Sequence, residues 1–161
     1  MARWLVKEEP THYSYDDLAR DRTTAWNGVH NALALRHLKA MARGDEVLYY
    51  HSGSVRAVAG IAKVTGTPKP DPNDDRGSWW VEIGAVRPLR SLVPLATLKA
   101  DPALARFDLV RIGRLSVMPV GDAEWARILS YEGATLAAGQ SKAAGRRPKR
   151  RSATARKRGS T

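Results

Sequence analysis

Several residues stand where side chains can meet a ligand. Trp26 directly precedes Asn27-Gly28, a dipeptide that favours a tight turn with positive φ, so its ring is expected at a loop mouth. An indole face there can stack on a flat heteroaromatic ring, which is worth about 1–3 kcal/mol for a nucleobase. His51 and Ser52 end the apolar run EVLYYH and enter Ser52-Gly53-Ser54, a turn. An imidazole and a hydroxyl can each donate to or accept from a base edge. Adjacent Tyr49 and Tyr50 face opposite ways, so at most one shares that pocket. Arg114 and Ser116 flank Leu115, and alternation puts them on one face of an extended segment, a pair suited to phosphate or carbonyl groups. Lys7 leaves the first apolar run and is a candidate phosphate contact. Asn31 can bind a base edge or cap the helix that follows it. Trp79 and Trp80 divide between two faces, leaving Trp79 as a further pocket candidate and its neighbour for the core, or the reverse.

The same inventory argues against other chemistry. The chain has no cysteine, which removes disulfides, thiolate metal sites and thiol catalysis. Its four histidines make no HExxH and no short helical ligand pair, so neither a metal nor a cofactor is implied. His51 and Ser52 are sequence neighbours, a poor geometry for a base and its nucleophile. The expectation is a binding protein without catalytic residues.

Short elements must position these side chains. RWLVK (residues 3–7) reads as a strand ended by Glu8, Glu9 and Pro10. Ser14 and Asp17 can cap a short helix. Residues 31–41 carry Leu35, Leu38 and Met41 on one face and read as the clearest helix of the front half. Residues 46–51, 57–64 and 79–86 read as strands. Gly60 within the second of these implies a close approach by another element or a ligand. Residues 91–99 and 102–107 look like short helical turns, 114–120 like a last strand, and 122–129 like a helix that buries Trp125, Ile128 and Leu129. These strands do not alternate regularly with long helices, which disfavours a doubly wound parallel sheet. An α+β fold fits, with a mixed β-barrel and short helices packed around its openings.

Charge divides the 161 residues in two. The formal net charge is +11, and nine of the lysines and arginines lie in residues 139–161, which hold no acid. The expected organisation is a domain over 1–133 and a disordered basic tail over 134–161. In that tail Arg146, Arg147, Lys149, Arg150, Arg151, Arg156, Lys157 and Arg158 are candidates for contacts to a nucleic-acid backbone. Nothing resembles a secretory signal or a membrane span, so the expectation is a soluble monomer without membrane contact, cytoplasmic or nucleoid-associated, or nuclear in a cell with a nucleus.

Taken in order, WLVKEEP (4–10), WNGVHN (26–31), YYHSG (49–53), AVAGIAKV (57–64) and RLSVMPV (114–120) resemble the EVE domain family, a branch of the PUA-like superfamily related to ASCH and YTH domains. The resemblance covers roughly residues 2–132. It implies a non-catalytic reader of a modified base, with modified cytosine in DNA favoured slightly over modified RNA. A nucleic-acid-processing enzyme is the less favoured alternative. It also raises the weight on Trp26, Asn31, His51, Ser52, Arg114 and Ser116. Two departures stand out. The family's Lys-Ser-Glu-Pro corner is here Lys7-Glu8-Glu9-Pro10, and a carboxylate at position 8 can accept from a base amino group but repels phosphate. The family's Trp-Asp-Gly-Val-Arg-Asn-Tyr loop is here Trp26-Asn27-Gly28-Val29-His30-Asn31-Ala32, without the arginine and the second aromatic.

Overall fold

A computed structural model of the chain describes residues 1–133; the basic tail and its eight candidate cations lie outside the described residues. The elements run β1 (Arg3–Glu8), α1 (Tyr15–Asp21), β2 (Thr23–Trp26), α2 (Ala32–Lys39), β3 (Glu46–His51), β4 (Ala57–Val64), β5 (Lys69–Pro70) and β6 (Trp79–Pro94). They continue with α3 (Leu95–Lys99), a 3-10 turn (Pro102–Leu104), α4 (Asp108–Arg111), β7 (Val117–Pro119) and α5 (Asp122–Leu129). No helix among the described residues is long and apolar enough to cross a membrane.

The strands form one curled sheet in the order β2-β6-β4-β3-β1-β7, with β5 paired to β6 outside this path. β1 runs parallel to β3, from Arg3 opposite Glu46 to Glu8 opposite His51, and the other pairings are antiparallel. The sheet is an open half-barrel, which corrects the expectation of a barrel. Its edges, β2 and β7, have four and three residues and do not pair with each other. α2 packs against both β6 and β7 and so fills the gap where closure would occur.

The apolar runs explain the centre of the sheet. In β3, Val47, Leu48, Tyr49 and Tyr50 are all buried, and β4 is buried at every position except Lys63. Both faces of these strands are therefore covered, and a continuous apolar run is what such a strand requires. The register slips between Tyr49 and Tyr50, leaving Tyr49 opposite Gly60 and Tyr50 opposite Val58. A bulge of this kind bends the strand and increases its twist, which curls the sheet.

The helices close the core from outside. Ser14 and Asp17 form the expected reciprocal cap on α1, whose Tyr15 and Leu18 are buried. α2 turns Ala34 and Leu38 inward, with Met41 buried just beyond it. α5 buries Trp125 and Ile128, and its Arg127 pairs with buried Asp101 at 2.5 Å. The carboxylate of Asp45, also buried, accepts from Trp4 Nε1 at 2.9 Å and from the backbone N–H groups of Ala42 and Ala2. It ties the end of α2 to the start of β1.

Two expected elements change. β6 continues through residues 87–94, where a helical turn was expected to begin, and helix appears only from Leu95. The last strand shrinks to Val117–Pro119, which leaves Arg114 in the turn before it.

Candidate nucleic-acid interface

The C-terminal end of β1 and the end of β2 converge on a cavity of about 280 Å³. β1 contributes Lys7 and Glu8, β2 contributes Thr24 and Trp26, the approach to α1 contributes Tyr13, and the segment before β7 contributes Ser116. Asn27, Gly28 and Val29 complete the wall, and Gly28 takes φ +73°, the turn geometry expected for Asn-Gly. The size lies at the low end for ligand pockets, about 300 Å³ upward, and suits a single small ring system.

Trp26 is set by an aromatic cluster. It ends β2 instead of standing in a loop, and it is only 7% exposed. Its ring meets Tyr49 edge-on at 5.4 Å, and Tyr49 meets Tyr15 and His51 edge-on at 5.7 and 5.8 Å. The Tyr49 hydroxyl donates to Tyr13 O. Edge-to-face packing of this kind fixes ring orientation as well as position. The turn after Trp26 is pinned from the other side, where Ser78 Oγ donates to Val29 O at 2.7 Å. His30 Nε2 meets Asp74 Oδ2, and Arg76 Nη2 meets His30 Nδ1 at 2.8 Å. A guanidinium only donates, so Nδ1 accepts and the ring proton on Nε2 goes to Asp74.

The polar groups of this cavity are few. Burial pushes the Glu8 carboxyl above its ordinary range, with the Glu9 N–H bond opposing that shift in part. Burial pushes the Lys7 amine down. Lys7 Nζ donates to Gly113 O at 3.1 Å and lies 5.7 Å from the centre of the Tyr50 ring. Burial also raises the Tyr13 phenol, helped by its hydrogen bond to Asp21. An aromatic residue, a carboxylate acceptor and hydroxyl groups make a site for a flat ring with donor and acceptor edges, while the Lys7 ammonium is held at Gly113 and Tyr50, outside this lining. Among the described residues no cluster of histidine or carboxylate side chains could hold a metal ion.

The expected site residues separate into groups. Trp26, Lys7 and Ser116 line this cavity. Ser52 lines a different one, of about 240 Å³, which shares Lys7 with the first. His51 lies behind the aromatic cluster, and its Nε2 accepts from Tyr15 N at 3.0 Å, satisfying a helix N–H that has no partner within the helix. Asn31 caps α2, its Oδ1 accepting from Ala34 N at 3.0 Å. Trp79 lies beneath Lys39, whose Nζ is 4.9 Å from the ring centre. Arg114 is exposed. Neither Asn31, Trp79 nor Arg114 lines either cavity. Tyr13 and Thr24 join the cavity without having been singled out. Their signal is weak, because they arrive from a loop and from a four-residue strand with no apolar alternation.

The comparisons with known proteins agree with this architecture. Residues 2–131 match the EVE domain family. A protein of Rhodopseudomonas palustris, solved by NMR, is 41% identical and superposes with a TM-score of 0.78 over 83% of this chain and 94% of its own. Human THYN1 protein, solved in complex with DNA containing 5-methylcytosine, is 28% identical with a TM-score of 0.75 over 83% of this chain and 98% of its own. Thymocyte nuclear protein 1 of Homo sapiens is 30% identical over 166 residues, covering 81% of this chain and 74% of the relative. With the open half-barrel, the Trp26 turn and nearly all of the described residues inside the match, the chain belongs to the EVE domain family.

Proposed function

We propose that the chain is a non-catalytic nucleic-acid-binding module that receives a modified cytosine of DNA in the cavity between β1 and Trp26. The observation that carries this reading is that Trp26 and Glu8 line one small cavity together. Cytosine presents an exocyclic amine that donates, and a carboxylate is its natural acceptor. A base enters such a cavity only when single-stranded or turned out of the duplex, and stacking on an aromatic ring offsets part of that cost. A family relative solved with DNA containing 5-methylcytosine supports the choice of base. Ser116 completes the polar wall. The nine basic residues of 139–161 supply contacts to phosphate that are independent of sequence.

The test is a polarisation titration of the full chain with matched oligonucleotides carrying 5-methylcytosine or cytosine. The methylated probe binds more tightly, and Trp26→Phe, which keeps a ring in the core, narrows the difference. Equal affinities for the two probes would overturn the reading.

A further inference from the structure

The second cavity has a different chemistry from the first. Its volume is about 240 Å³, and Lys7, Arg56 and Lys99 line it with Ser52, while no aspartate or glutamate does. Glu9 packs against Gly53 at the rim without lining the cavity. Arg56 and Lys99 make no ion pair with a described residue. Lys7 Nζ gives one of its three donors to Gly113 O at 3.1 Å, so the concavity gathers three cations and a hydroxyl with no carboxylate in its lining.

The backbone at Arg56 is unusual as well. It takes φ +50°, a conformation that L side chains rarely adopt, and its carbonyl is held by the Leu95 N–H at 2.9 Å. Glycine would meet the turn with less strain. What arginine adds is a guanidinium in the lining of this cavity, together with Tyr50. Lys7 lines both cavities, so they are neighbours, and its Nζ meets Gly113 and Tyr50 of the second.

We infer that the second cavity binds a phosphate group of the ligand whose base occupies the first, through Arg56, Lys99, Ser52 and the shared Lys7. This rests on the base-reading function proposed above and extends it. Base and phosphate of one nucleotide are joined through a single sugar, so two neighbouring cavities that share a lysine suit the two ends of one nucleotide. The phosphate belongs to the strand backbone next to the bound base, and a terminal phosphate of a free nucleotide would use the same donors. Ser52 thereby moves from a base contact to a phosphate contact.

The experiment is a double-perturbation cycle on the full chain at fixed salt. The probes are single-stranded oligonucleotides with one 5-methylcytosine, fully charged or with one uncharged methylphosphonate linkage beside that base. The expected result is about a tenfold loss on neutralising one flanking linkage in the wild type, the scale of a charge-assisted contact. In Arg56→Gln or Lys99→Gln the same neutralisation then costs less than about twofold, because the partner is already gone. Lys99 is exposed on α3, so its variant carries the test even if the Arg56 variant does not fold. A second arm compares 5-methyldeoxycytidine with its 5′-monophosphate as competitors. A phosphate advantage that Lys99→Gln removes in this arm alone keeps the phosphate site and assigns it to free nucleotides. Equal losses in wild type and variants in both arms overturn the inference. Preference for 5-methylcytosine over cytosine, read on the same variants, reports on the first cavity separately. If that preference persists while the coupling is absent, the phosphate inference alone fails. If the coupling is present without the preference, the base reading fails.

Discussion

The imidazole Nε2 of His51, at the end of β3, accepts a hydrogen bond from the backbone N–H of Tyr15 at 3.0 Å, which requires that nitrogen to be unprotonated. Burial lowers the His51 pKa to about 4, and Asp16 and Asp17 only partly oppose the shift. The folded value is below the unfolded one, so the unfolded chain takes up the proton first on acidification. Stability from this group is complete above the ordinary histidine value of 6.5 and falls as pH drops towards 4. The loss amounts to about 3 kcal/mol at most. Denaturant unfolding of wild type and His51→Gln between pH 7 and pH 4.5 checks this. The glutamine variant keeps an acceptor without titrating, and its stability falls less over that interval. Equal slopes would contradict the assignment.

Gly60 explains why α1 can lie so close to the sheet. A Cβ at this position would stand 2.5 Å from the Tyr15 ring, whose hydroxyl donates to Ile61 O at 2.7 Å. Tyr15 is thus anchored across β4 and cannot easily withdraw. Gly60→Ala is expected to destabilise by about 1–3 kcal/mol, the usual cost of overpacking. A denaturation midpoint measures it, and a midpoint equal to wild type would mean that the ring shifts at no cost.

Glu8 replaces a serine of the family pattern and is the acceptor proposed for the base amine. Glu8→Ala should weaken binding of a 5-methylcytosine oligonucleotide by about tenfold or more, as expected for loss of a hydrogen bond to a charged group. Glu8→Gln, which retains one acceptor oxygen, should fall between the two. A titration in which the alanine variant binds more tightly would show that the carboxylate faces phosphate instead.

His30 clamps the segment 71–77 to the turn that follows Trp26, through Asp74 and Arg76. The cluster is exposed, so His30→Ala should change stability by no more than about 1 kcal/mol. Its local effect should be larger. Amide hydrogen exchange should quicken at Asp74 and Gly77, with the exchange of β3 unchanged. Uniform quickening across the domain would mean that the clamp supports the whole fold.

Much of the scaffold was legible because its strands are apolar on both faces. β1, β3 and β4 announce themselves as runs of buried residues, and α2 and α5 by helical spacing of Leu38 and of Trp125 with Ile128. β2 was hidden, since of Thr23, Thr24, Ala25 and Trp26 only the last is buried. β6 was cut short because Arg87, Pro88 and Arg90 break the apolar pattern while the backbone continues paired. Openness of the sheet was also illegible, because it depends on whether two short edge strands meet around α2. At the site, Trp26 and Lys7 were visible from residue type and neighbours. His51 and Asn31 have the same side-chain capacity in the sequence, but backbone N–H groups of Tyr15 and Ala34 claim their acceptors. Only the fold decides whether such an acceptor faces a ligand or a helix end.

The central claim is that the Trp26 cavity distinguishes a modified cytosine. Its most direct measurement is the ratio of affinities for 5-methylcytosine and cytosine in one oligonucleotide, for the full chain and for residues 1–133, at two salt concentrations. The account predicts that removing 134–161 weakens both probes alike and reduces the salt dependence, while the ratio stays above one and unchanged. A ratio of one in both forms, with binding lost on truncation, would contradict it and leave the basic segment as the sole source of affinity.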